Sequence, residues 1–231
     1  MAGETLGTYL TRTRRLLHDL AATYVPNPLN PTLSQYFSDF DLTVFINDAT
    51  NQRDLWSGGS RTYVPNVPLT IGQDLYTFTA LAPNKTVLDC INVILIYGST
   101  RVVLENPTFT DLTTKARALT FYQNRPWGFA RYGANQIYIA PAPGAVYNAD
   151  FDLSVLATTF VNAADPDPLP FPYTVPIPFY AAYLAKINQR RYDEAEQHFG
   201  FYIRAMRDIE GARVGQMLSA YTAARSGKQG Y

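Results

Sequence analysis

The chain has 231 residues, 47% of them apolar and 14% aromatic, which suffices for one large or two small packed domains and excludes global disorder. Lysine plus arginine equals aspartate plus glutamate at 19 each, so no net field draws the chain toward nucleic acid or membrane, and a sequence-specific DNA binder would be more basic. No run approaches the ~18 apolar residues of a membrane span, and the arginine-rich start lacks the apolar core of a secretory signal, so synthesis in the cytosol is expected.

Leu6, Tyr9, Leu10, Leu16, Leu17 and Leu20 recur at helical spacings and predict an amphipathic helix over about residues 4–23. Ser38, with Asp41 three residues on, reads as a capping box. It opens a second helix with Leu42, Phe45, Ile46 and Ala49 on one face and an end near Trp56. From Arg61 to Thr159 short runs rich in Val, Ile, Tyr and Thr predict strands: "DLYTFTA", "VLDCINVILIYG", "RVVLE", "FARYG", "NQIYIAP" and "VYNADFDLSVLA". Their close spacing favours antiparallel pairing over crossover connections. One short helix capped near Asn106 interrupts them, and Cys90, alone in an apolar run, is expected as a buried thiol.

"DPDPLPFPYTVPIP" holds six prolines in fourteen residues and is expected as a stiff connector, with Pro176 and Pro178 in the first turn of the helix that follows. That helix is predicted to run from Phe179 past Ile209, bending at most near Gly200, and the last residues read as an exposed tail. The fold class is therefore α+β. Residues 1–60 and 172–218 form a helical bundle, 61–165 an inserted antiparallel β-rich subdomain, 166–178 a Pro-rich connector and 219–231 a flexible C-terminal tail.

Catalytic chemistry has little support. His18 and His198 carry no zinc spacing, and no nucleophile elbow, P-loop or dinucleotide fingerprint occurs. The acidic pairs have simpler explanations than a two-carboxylate site. Asp39 and Asp41 stand in a helix's first turn, Asp150 and Asp152 alternate along a strand, and Asp165 and Asp167 lie in the proline loop. No catalytic residue, metal or cofactor is expected. Arg125, Trp127, Phe129 and Arg131, in "QNRPWGFARYG", combine cations with aromatic rings that could stack nucleobases or sugars, but the stronger expectation is that Pro126 and Gly128 form a turn and the aromatics pack within the β block or against a neighbouring protein; a carbohydrate- or receptor-binding module using these aromatics is the alternative.

The order of parts resembles the head-to-tail adaptor proteins of tailed bacteriophages over nearly the whole chain. Phe45, Ile46, Asn47 and Ala49 match the family's "yIN-Ar" helix motif. Pro126, Gly133, Ile137, Ile139, Pro141 and Pro143 match its "P-ya-G-i-l-P-P" stretch, and Leu169, Pro170, Ala181, Ala182 and Ala185 its "lP" loop and Ala-rich helix. Thr50 stands where the family pattern has arginine. The resemblance, which extends to the tail tubular protein A group, implies a non-enzymatic virion protein at the head–tail junction. It implies a homo-oligomeric ring of twelve copies between the portal protein and the tail nozzle or tube, through which genomic DNA passes without specific binding. Arg125, Trp127, Phe129 and Arg131 would make inter-subunit or tail contacts, and Arg225, Lys228 and Tyr231 would dock the C-terminal tail on the portal.

Overall fold

The computed structural model describes residues 3–19, 36–58, 60–118 and 125–226, with backbone alone for 116–118 and 212–226. In chain order these form α1 (Leu6–Leu17), α2 (Asp39–Ser57), β1 (Arg61–Leu69), β2 (Leu75–Thr77), α3 (Phe78–Leu81), β3 (Val87–Tyr97) and β4 (Thr100–Val103). There follow α4 (Phe109–Ala118), β5 (Gly128–Tyr132), β6 (Gln136–Ala140), β7 (Tyr147–Val155), α5 (Pro176–Asn188) and α6 (Tyr192–Ser226). The fold is α+β, as its sequence implies. Two compact units divide it: Met1–Ser57 with Ala157–Tyr231, and Gly58–Leu156.

In the helical unit, the Thr5 side chain accepts the Thr8 N–H and caps α1. The helix stops at Leu17, earlier than its apolar spacing predicts, because His18 takes a left-handed conformation (φ 56°) and the Asp19 N–H returns to the Arg14 carbonyl. Asp19 then accepts the N–H groups of Tyr36 (2.8 Å) and Phe37 (3.3 Å), fixing the start of the next segment; Leu20 lies outside the described residues. The capping box at α2 is present: the Ser38 hydroxyl accepts the Asp41 N–H at 3.1 Å, and Asp41 accepts the Ser38 N–H at 3.2 Å.

The long helix predicted after the proline segment is in fact two. Arg190 adopts φ 60°, the Arg191 N–H closes on the Lys186 carbonyl, and α6 starts at Tyr192. Phe179 meets Phe201, Tyr183 meets Phe199 and Lys186 pairs with Glu194, partners whose numbers run in opposite directions, so α5 and α6 form an antiparallel hairpin. The aromatic stack between the helices supplies what the local sequence lacks, a reason to turn back. Gly200 does not interrupt α6, which runs through Gly211 and Gly215 to Ser226. Residues 219–226 of the expected tail are therefore helical. Pro176 opens α5 at its first position and Pro178 follows in the same turn, where missing amide hydrogens cost least.

Ahead of α5, part of the proline segment lies along the N-terminus. Leu6 and Gly7 donate to the carbonyls of Asp165 (3.1 Å) and Ala163 (2.9 Å), and Asp167 donates to that of Glu4 (2.8 Å). The approach is so close that a Cβ on Gly3 would sit 2.2 Å from the Asp167 carbonyl oxygen, which restricts the position to glycine.

The second unit holds a four-stranded sheet in the order β1-β7-β3-β4 and a three-stranded sheet in the order β2-β6-β5, paired antiparallel throughout. Phe129, Phe151, Ile137, Leu153, Val93 and Leu95 are central to its core, with Cys90 buried among them. Burial pushes the Cys90 thiol well above its ordinary range, so it stays protonated. One strand is additional to those expected, and two local readings are corrected. "RTYVPNVPL" forms β1: its prolines fit because β1 is an edge strand whose register shifts between Val64 and Val67. "FTAL" is α3 rather than strand, because the Thr77 hydroxyl caps it by accepting the Ala80 N–H. The cap of α4 is Thr108, not Asn106: its hydroxyl accepts the Asp111 N–H and donates to the Asp111 carboxylate.

Asp150, on central strand β7, is a structural carboxylate. It accepts from the Tyr63 hydroxyl and from the Asn66 N–H (2.8 Å), and Arg101 lies 3.3 Å away. Burial alone would raise its pKa; these three donors outweigh burial and hold it below the usual carboxylate range. A depressed folded pKa means stability that is fully present above the unfolded value of about 3.9 and lost as pH falls through the lower folded value. Asp150→Asn should therefore lower the melting temperature at pH 6 and 7, and the gap from wild type should close as thermal melts are taken down toward pH 2.

Candidate functional site

Helix α2 carries a charged residue into the core. At about 100° per residue, Leu42, Ile46, Ala49, Arg53 and Ser57 share one face, and all are buried. Arg53 therefore enters the core on the apolar spacing itself. Its Nη1 donates to Asp167 Oδ2 at 2.7 Å and its Nε to Asp54 Oδ1 at 3.1 Å, with all three side chains fully shielded from solvent. The Tyr9 hydroxyl donates to the same Asp167 oxygen at 2.7 Å, and the Leu169 N–H donates to the other at 2.8 Å. Burial opposes the Arg53 charge, but Asp167 and Asp54 outweigh it and raise its pKa. Burial and then Asp167 push the Tyr9 phenol far up, so it remains a donor.

The same helix fastens the chain segment that returns from the sheet unit. Asn47 donates to the Phe160 carbonyl (3.1 Å) and accepts the Phe160 N–H (2.8 Å), while Asp54 Oδ2 accepts the Ala157 N–H at 2.7 Å. Asn47 of the "FIN" motif is thus a two-point clamp on the backbone of Phe160. Thr50 is buried and donates to the Asn47 carbonyl at 2.8 Å, and the buried guanidinium of this helix is that of Arg53, three residues on. Sequence reading does not single out Arg53 or Tyr9 as a site; the available signal is an arginine at the spacing of Ile46 and Ala49.

The acidic pairs are engaged in structure. Asp39 accepts from Arg14 at 2.6 Å, and Asp165 accepts the N–H groups of Val161 and Asn162 at 2.8 and 2.7 Å. Among the described residues, no group of three or more His, Cys, Asp or Glu side chains is placed to hold a metal ion, and no helix is long and apolar enough to cross a membrane.

The "QNRPWGFARYG" residues separate. Phe129 is 1% exposed in the sheet core, which removes it from any contact surface. Arg131 donates to the carbonyls of Leu88 (2.7 Å), Gly133 (3.1 Å) and Ala134 (3.2 Å), so its guanidinium ties β3 to the turn between β5 and β6. Trp127 is half-buried against Leu112 and Ala130, with the Lys115 ammonium 5.8 Å from its ring, and exposed Arg125 lies over Tyr97 at 5.2 Å. No flat, open aromatic platform arises from Trp127 and Phe129. Of the three tail residues, Arg225 is on the α6 backbone near its end, whereas Lys228 and Tyr231 lie outside the described residues.

No curated protein sequence matches the chain. The pattern of the SU10 adaptor protein family matches residues 5–226, which takes in α1, the Asn47 clamp, the Arg53 centre, the whole sheet unit and α6. The chain belongs to the SU10 adaptor protein family and is a structural adaptor protein of a phage virion.

Proposed function

We propose that this adaptor forms a closed ring at the head–tail junction, of twelve copies as in the adaptors it resembles, between the portal protein and the tail nozzle or tube. The ring encloses the channel through which DNA leaves the head. The observation that carries the reading is the outer face of α2: Phe40, Val44 and Leu55 stand exposed there, opposite the buried Leu42, Ile46, Ala49 and Arg53. A monomer gains nothing from such a face, whereas association buries it at roughly 25 cal/mol per Å2. Balanced charge is consistent with a conduit that must release its cargo rather than hold phosphate by displacing counterions.

On this reading α6 presents its end to the portal, with Arg225, Lys228 and Tyr231 as anchors, and Arg125 and Trp127 are contacts to a neighbour or to the tail. Co-sedimentation with portal-bearing heads tests it. The full chain should pellet with heads and saturate at a fixed ratio to portal, and deletion of 227–231 should weaken that binding. A full chain that stays in the supernatant at all concentrations would overturn the reading, and undiminished binding by the truncated chain would remove the tail anchors from it.

A further inference from the structure

We propose that neighbouring copies join head-to-tail through two different faces of the helical unit: the acidic, apolar outer face of α2 on one copy seats on an arginine-edged groove between α1 and α5 of the next. The inference rests on the ring reading above and names the surfaces that would close the ring.

The groove is lined by Arg12, Arg15 and Leu16 of α1 and by Val175, Pro178 and Phe179 at the start of α5, and its volume is about 340 Å3. Its floor is apolar and its charged edge cationic. Of the three α1 arginines, Arg14 is buried and turned onto Asp19 and Asp39, while Arg12 and Arg15 are exposed beside the groove. Arg12 already holds Glu4 at 2.7 Å, which leaves Arg15 as the cation best able to take a new partner.

The outer face of α2 has the opposite character. Phe40, Val44, Asp48 and Leu55 fall within a sector of about 80°, diametrically opposite the buried Leu42, Ile46, Ala49 and Arg53. Phe40 is 76% exposed and flanked by Asp39 and Asp41, and Asp48 follows one turn after Val44. The helix contains a single basic residue, Arg53, and it points inward; Asp39 is already held by Arg14 and Asp41 caps the helix, which leaves Asp48 as the carboxylate of the outer face best placed for a new cation. An apolar groove edged by arginine is the complement of that surface in both hydrophobicity and sign.

A second copy is the occupant because each chain carries both halves. The α2 face points away from the helices that α2 packs on, so it cannot fold back into the groove of its own chain. Two unlike patches on one protomer make a heterologous contact, which propagates from copy to copy and closes when the rotation permits.

The test uses the full chain and two charge reversals at exposed positions, Arg15→Glu and Asp48→Arg, scored for rings on purified portal, with circular dichroism melts as the folding control. Each reversal alone opposes like charges across every interface and should raise the protein concentration for half-assembly about tenfold or more. The chain carrying both reversals, and an equimolar mixture of the two single variants, should recover assembly, since a groove edged by the new carboxylate accepts an α2 face carrying the new guanidinium. Single variants that assemble as wild type overturn the pairing. Single variants that fail with no recovery in the double variant or the mixture also overturn it, and assign the groove to an acidic segment of the portal or tail. A wild-type chain that forms no oligomer on portal overturns the ring reading itself, and this pairing with it.

Discussion

Arg53→Met is expected to destabilise the helical unit by about 3–5 kcal/mol, because it removes the guanidinium held between two fully buried carboxylates. The loss is larger than that of a surface ion pair, which is worth about 0–1 kcal/mol, since water cannot reach Asp54 or Asp167 to replace the guanidinium. Arg53→Lys should remain strongly destabilised. One ammonium cannot reproduce a fork that reaches Asp167 through Nη1 and Asp54 through Nε. Asp167→Asn keeps one acceptor oxygen of two, so its NH2 must face either the Leu169 N–H or the Tyr9 hydroxyl and Arg53, and it leaves the buried guanidinium with Asp54 alone; it too should be strongly destabilised. Urea unfolding followed by far-ultraviolet circular dichroism ranks the three variants. An Arg53→Met midpoint equal to that of wild type would mean that this centre does not hold the unit together.

Phe151→Ala should cost the sheet unit a comparable amount, about 3–5 kcal/mol, through lost burial and the cavity left behind. Phe151 sits on β7, the strand between β1 and β3, opposite Val64 on one neighbour and Val93 on the other, and it is fully buried. Strands on both sides fix the backbone. Phe151→Leu preserves most of the volume and should cost less than about 1.5 kcal/mol. The two variants are compared by thermal melting in the near ultraviolet, where the packed tyrosines of this unit report. Equal melting temperatures for Phe151→Ala and Phe151→Leu would contradict the cavity argument.

Much of the fold is legible in the sequence because local chemistry and tertiary packing agree. The Ser38–Asp41 box opens α2, Pro176 opens α5, and runs of branched and aromatic residues become antiparallel strands. The features that escape sequence reading are those where packing overrides local preference. "QRR" at 189–191 contains no helix breaker; the chain turns there because Tyr183 and Phe179 have Phe199 and Phe201 to stack on. Pro65 and Pro68 argue against a strand until the edge position of β1 is known. Arg53 hides in the sequence because a charged residue is read as solvent-facing, although its spacing places it with Ile46 and Ala49. The aromatic cluster around Trp127 invites the opposite error for a related reason: composition shows that rings and cations are adjacent in sequence, but not that Phe129 faces the core while Arg131 gives its donors to nearby carbonyls.

The resemblance carries the functional reading further than any single site does, and the Asn47 clamp explains why its "IN" motif has physical meaning. An asparagine on a helix can satisfy both the N–H and the carbonyl of one residue in a neighbouring segment, here Phe160, through its amide alone. Together with Asp54 on Ala157 and Arg53 on Asp167, it commits the buried face and one flank of α2 to holding the returning chain, while Phe40, Val44 and Leu55 stay exposed.

Electron microscopy of the full chain mixed with purified portal protein tests the ring most directly. The account predicts particles in which a second ring stacks coaxially on the portal around an open channel, absent from portal alone. Portal rings that remain unchanged at saturating concentrations of this chain would contradict it.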